Sequence, residues 1–138
     1  MAKTVAEVMT PHPATVEADE PVSVAATLMR DHDTGAVIVN EHGRLKGIVT
    51  DRDIAVRVVA ADLGPDTPVR AACSPFVEVV GSEATIEQAV RLMREHAVRR
   101  LPVVEDGRAI GVVSLGDLAV ERDPDSALAD ISAAEGNR

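Results

Sequence analysis

The sequence predicts a mixed α/β fold (α+β), built from one β-α-β-β-α unit written twice. Three observations carry that expectation. A gapless self-match runs from Val5 on Val69 to Val56 on Val120. Within each copy an amphipathic helical period is followed by two β-rich runs around a glycine. A connector rich in turn formers, Asp62 to Pro68, separates the copies. Two copies are too few for a solenoid, which buries its core by stacking three or more units. A closed pair related by a pseudo-twofold axis is the more economical arrangement. The repeat places one unit at 5–62 and the other at 69–122, and leaves 123–138 as a flexible tail.

Each copy opens on a short helical piece that stops at Thr10-Pro11 or Ser74-Pro75, because proline lacks the N–H that a helix needs. A short extended stretch follows, Ala14-Thr15-Val16 or Glu78-Val79-Val80. Next comes an amphipathic helix. Val22, Ala25, Ala26 and Met29 share one face, as do Ile86, Ala89, Val90 and Met93, and both stripes read as core packing. His32 and His96 end these helices, where they are expected to help satisfy terminal carbonyls. The β-rich runs are Ala36 to Val39 with Leu45 to Val49, and Leu101 to Val104 with Ala109 to Val113. A closing helix begins after Thr50 or Ser114. In the tail, Leu128 and Ile131 have the spacing to dock one helical turn, but a frayed terminus is expected.

Composition narrows the function. The 138 residues carry a formal net charge of −9 and are 46% hydrophobic, yet only 1% aromatic. Phe76 is the one aromatic residue, which argues against base-stacking platforms and aromatic cages. The acidic balance argues against nucleic acid and anionic membrane as partners. No apolar run approaches the ~20 residues that span a bilayer, so a cytoplasmic location is expected and a membrane is not. A single cysteine, Cys73, rules out an intrachain disulfide and reads as a small buried apolar residue. The four histidines make no metal-ligand spacing with one another.

The chemistry sits at the strand-to-helix junctions, Gly47-Ile48-Val49-Thr50-Asp51-Arg52-Asp53 and Gly111-Val112-Val113-Ser114-Leu115-Gly116-Asp117. Both fit G-h-h-[ST]-x-x-D. One account is purely structural: the hydroxyl caps the helix and the acid complements its N-terminus, for ~1 kcal/mol. The other is a nucleoside phosphate cradle. Helix N–H groups and the Thr50 or Ser114 hydroxyl would meet phosphate, while Asp53 or Asp117 would accept ribose hydroxyls. The two roles are compatible. Their spacing recurs in diverged copies, although the intervening residues differ.

These junctions, with Val8-Met9-Thr10-Pro11, Met29-Arg30-Asp31-His32 and Val98-Arg99-Arg100-Leu101-Pro102-Val103-Val104, resemble the cystathionine β-synthase (CBS) domain. The tandem resembles a CBS pair, or Bateman module, and the likeness spans about Val5 to Val120. It implies two clefts between the repeats that bind adenosine derivatives. It assigns Asp53 and Asp117 to ribose, and Thr50 and Ser114 to phosphate or ribose. Val16 and Val80 would hold the base by aliphatic packing. Residues at the position of Arg99 and Arg100 reach nucleotide phosphates in the family. The first copy has Gly35-Ala36 there, so different affinities are expected for the two clefts.

The leading functional expectation is a non-catalytic sensor of AMP, ADP or ATP with no obligatory cofactor. It would act as a homodimer on an effector protein that the sequence does not identify. S-adenosylmethionine or NAD are alternative adenosyl ligands. A ligand-independent dimerisation or protein-interaction module is the second reading. Catalysis has little support, since no nucleophile–base pair or metal set stands out.

Overall fold

The computed structural model describes residues 3–74, 78–123 and 125–134. Pro75, the second expected helix breaker, and Phe76 lie outside them. The elements follow the expected grammar in both copies. In the first, a short helix α1 (Val5–Val8) leads to β1 (Thr10–Pro11) and β2 (Thr15–Glu17). Then come α2 (Val22–His32), β3 (Ala36–Glu41), β4 (Arg44–Thr50) and α3 (Asp51–Ile54). The α3 helix widens into a π-helical turn, Ala55–Val59. In the second copy a 3-10 turn (Val69–Ala71) precedes β5 (Val80–Gly81), α4 (Ile86–His96), β6 (Arg100–Glu105), β7 (Arg108–Ser114) and α5 (Leu115–Arg122). A last helix, α6 (Ala127–Ala133), lies in the stretch expected to fray.

The chain forms two compact units, and their membership departs from the sequence halves. One holds Pro13–Val77; the other holds Met1–His12 with Glu78–Arg138. The segment that introduces the first copy therefore packs with the second copy. Backbone pairing explains this. β1 runs antiparallel to β7, with Thr10 opposite Val112 and Pro11 opposite Gly111, and Val5 N–H donates to the Ala84 carbonyl at 2.9 Å. Val5 is fully buried in the cluster of Ile86, Ala89, Leu101 and Val113. The corresponding Val69 and Cys73 are buried in the first unit's core with Val16, Val37 and Val49.

The first unit contains a three-stranded sheet in the order β2-β3-β4. The second contains a four-stranded sheet, β1-β7-β6-β5. In both, a parallel strand and a tight antiparallel hairpin flank the same central run. The hairpins turn at His42-Gly43 and Asp106-Gly107, where both residues have positive φ. Such paired left-handed positions match the twist of a two-residue hairpin. One difference follows from a single residue. Ile38 N–H donates to the Ala14 carbonyl, but its counterpart Pro102 has no N–H to give. β5 consequently pairs over two residues, against three for β2.

α2 and α4 end alike. Asp33 and Ala97 adopt the left-handed conformation, and the carbonyls of Met29 and Met93 accept backbone N–H bonds from Asp33 with Thr34 and from Ala97 with Val98. Backbone donors thus do the work expected of the histidines. His96 instead places Nδ1 3.6 Å from Glu78 Oε1. The N-termini differ, since Thr85 and Gln88 form a reciprocal capping box on α4 while α2 has no side-chain cap. The tail forms a helix because Ser126 caps it through Ala129 N–H at 3.0 Å and Ala129 buries itself.

Candidate functional site

Both junctions are full capping boxes with matching geometry. Asp53 N–H donates to Thr50 Oγ1 at 3.1 Å, and Asp53 Oδ2 accepts Thr50 N–H at 2.9 Å. Asp117 N–H donates to Ser114 Oγ at 3.1 Å, and Asp117 Oδ2 accepts Ser114 N–H at 2.9 Å. The hairpin strand supplies a further contact in each unit. Its lead-in carbonyl, Gly35 or Arg99, accepts the first helical N–H, that of Asp51 at 3.0 Å or Leu115 at 2.8 Å. Strand pairing then sets Ala36 opposite Thr50 and Arg100 opposite Ser114. Ser114, Asp117, Arg99 and Arg100 therefore meet in one unit, and both arginines are exposed. Thr50 and Asp53 meet in the other.

The residue between hydroxyl and acid makes the junctions unequal. At the first, Asp51 Oδ1 accepts Arg52 N–H at 2.8 Å, so all three first-turn donors are already bonded. Asp53 Oδ1 also lies 3.9 Å from Arg57 Nη1. At the second, Leu115 brings no oxygen, and Gly116 N–H finds no acceptor among the described residues. Asp117 Oδ1 likewise forms no hydrogen bond or ion pair among them. Sequence reasoning did not single out Asp51, Arg57 or Gly116 for these effects, although the differences are visible when the copies are aligned.

Val16 and Val80 are placed differently from the expectation. Their side chains point into the two cores, 3% and 5% exposed. On a strand, neighbours face the other way, so the exposed Thr15, Glu17 and Val79 present side chains where Val16 and Val80 offer only backbone. Cys73 is buried as expected, and burial pushes its thiol pKa up. Among the described residues, no three His, Cys, Asp or Glu side chains converge as a metal site. No helix among them is long and apolar enough to cross a membrane. Beside the second junction, a groove of about 420 Å³ lies between α4 and the start of α5, lined chiefly by Val90, Met93, Val98, Leu115 and Leu118, with Arg99.

The model of the CBS domain matches residues 5–60 and again 69–122. The chain belongs to the CBS-domain family. It is a tandem CBS protein, and such modules are in general regulatory, ligand-binding and non-catalytic. Among its relatives, the CBS domain-containing protein YhcV of Bacillus subtilis is 42% identical over 118 residues, which cover 86% of this chain and 84% of YhcV. Hypoxic response protein 1 of Mycobacterium tuberculosis is 38% identical over 102 residues, covering 72% of this chain and 71% of that protein. The crystal structure of Hypoxic Response Protein I with two coordinated zinc ions aligns at a TM-score of 0.75 and 34% identity, over 86% of this chain and 98% of that one.

Proposed function

We propose that this CBS pair is a non-catalytic sensor that binds an adenosine nucleotide, AMP, ADP or ATP, through its G-h-h-[ST]-x-x-D junctions. The observation that carries the reading is the open chemistry of the second junction. Asp117 Oδ1 and Gly116 N–H have no partner among the described residues, and Arg100 stands opposite Ser114 on the paired strand. A carboxylate oxygen accepts ribose hydroxyls. An open helix N–H, a hydroxyl and guanidinium groups favour a phosphate. Arg99 and Arg100 supply that positive charge in a chain of net charge −9. Thr50 and Asp53 repeat the arrangement without the arginine pair. Adenine would lie along β2 or β5, against backbone and the flanking side chains rather than Val16 and Val80.

Binding can act only through different affinities for two states of the protein. A homodimer read by an effector protein in the cytoplasm supplies such states. Calorimetry of ligand-stripped protein with AMP, ADP, ATP, S-adenosylmethionine and NAD tests it. Affinity for at least one nucleotide tighter than about millimolar, some 4 kcal/mol, is expected. No binding by any of them would refute the sensor.

A second reading is a ligand-independent dimerisation or interaction module. The exposed Val56 and Val59, 51% and 66% accessible on the closing π turn, favour it. Light scattering that finds a dimer, together with melting temperatures that no nucleotide moves, would select this reading.

A further inference from the structure

Arg57 is the residue that most sharply separates the two junctions. It lies four residues after Asp53, in the π-helical turn, with Nη1 3.9 Å from Asp53 Oδ1. The same Nη1 donates to the Ala72 carbonyl at 2.8 Å. Ala72 is fully buried, so this bond anchors the guanidinium instead of leaving it free to swing into solvent. One residue beyond the end of the self-match, the same offset puts Glu121 at the matching place in the second copy. Its carboxylate turns to Lys3, with Oε1 2.8 Å from Nζ, and brings no cation to Asp117. One junction therefore has an anchored cation against its acid, and the other has an acid in the same register.

We propose that Arg57 is a specificity-determining positioning residue that weakens the first junction as a diol site. This rests on the nucleotide reading above. Asp53 Oδ2 is already engaged by Thr50 N–H. The remaining oxygen must receive the ribose hydroxyls, and there the guanidinium, at 3.9 Å an ion-pair partner and not a hydrogen-bond donor, holds the carboxylate by charge and opposes its turning to a ribose. Asp117 has the same first engagement and no such competitor. The second junction is consequently the tighter diol site, and Arg57 adds to the difference that the open Gly116 N–H and the arginine pair make, without touching ligand.

The test isolates the first junction in an Asp117→Ala background, which removes the diol carboxylate of the second. Arg57→Gln removes the charge and leaves a polar side chain too short to span to Asp53 and the Ala72 carbonyl together. In that background it is expected to tighten ADP binding by about two- to fivefold, the size of a partly exposed ion pair. Arg57→Lys, which restores the charge, is expected to reverse the gain. A loss of structure alone would not create tighter binding. Unchanged or weaker binding by Arg57→Gln overturns the proposal while the nucleotide reading stands. Absence of binding by AMP, ADP and ATP alike in the chain without substitutions overturns both.

A second measurement leaves Arg57 in place. Adenosine is uncharged, so salt acts on its affinity mainly through the protein's own ion pairs. Tighter adenosine binding by Asp117→Ala at high salt supports the competition. Affinity that is flat or falls with salt overturns it.

Discussion

Ser132 of α6 lies in the space that a side chain at Gly116 would occupy. A Cβ built on Gly116 would stand 3.0 Å from Ser132 Cβ, overlap Ser132 Oγ, and sit 3.7 Å from Ser114 Oγ. The C-terminal helix thus seats its last turn on the first turn of α5, beside the second junction. Residues 123–138, which the sequence predicts as a flexible tail, therefore include a helix packed on the second unit.

Gly116→Val is expected to push α6 off α5. Overpacking of this kind costs about 1–3 kcal/mol when both elements stay docked, and undocking a terminal helix relieves it. Limited proteolysis checks the outcome, with cleavage near Arg122 faster in the variant. A protease pattern identical to that of the parent would show that the contact does not hold α6.

The capping boxes predict equal stability costs at unequal sites. Thr50→Ala and Ser114→Ala each remove one acceptor for an Asp N–H and should cost about 1 kcal/mol in denaturant melts. Nucleotide affinity should separate them. Ser114→Ala is expected to weaken binding more than Thr50→Ala, because the second junction holds the open N–H and the arginine pair.

Cys73 is 6% exposed, and burial raises its thiol pKa. The thiolate is the reactive form, so alkylation by iodoacetamide near pH 8 should be slow in the folded chain. In urea it should proceed at the rate of a free thiol. Mass spectrometry reads both, and rapid labelling of folded protein would contradict the burial.

Acid sensitivity should include a contribution from Glu41. The Arg70 guanidinium, hydrogen-bonded to its carboxylate, holds the Glu41 pKa below the ordinary glutamate value, and Lys46 adds to the effect. A carboxyl depressed in the folded state stabilises above its unfolded pKa. That stabilisation is lost as the pH falls through the folded value. Denaturant melts of the parent and Glu41→Gln should therefore differ near neutral pH and converge as the pH falls below the lowered folded-state pKa. A gap that persists in acid would assign the effect to packing.

Much of the architecture was legible because its signals are local. The hairpins at His42-Gly43 and Asp106-Gly107, the apolar faces of α2 and α4, and the Thr50/Asp53 and Ser114/Asp117 boxes all form within a few residues of chain. Duplication strengthened them, since each signal appeared twice. Local reading failed where the partner lay elsewhere. His96 found Glu78 instead of its own helix end, and Val16 and Val80 answered to the cores rather than to a ligand surface.

By itself the sequence determined the repeat unit, its element order and the paired hydroxyl and acid at each strand-to-helix junction. Those features depend on periodicity, turn chemistry and capping, which act over one or two turns of backbone. Tertiary structure decided that α1 and β1 pack with the second copy, that α6 seats on Gly116, and that Arg57 ties Asp53 to Ala72. Each depends on groups far apart in the chain that meet only when β1 pairs with β7 or the cores close. Part of the inequality between the two junctions is local, in Asp51 against Leu115; the rest arises in the fold, where Arg57 is anchored beside Asp53 and Glu121 turns to Lys3.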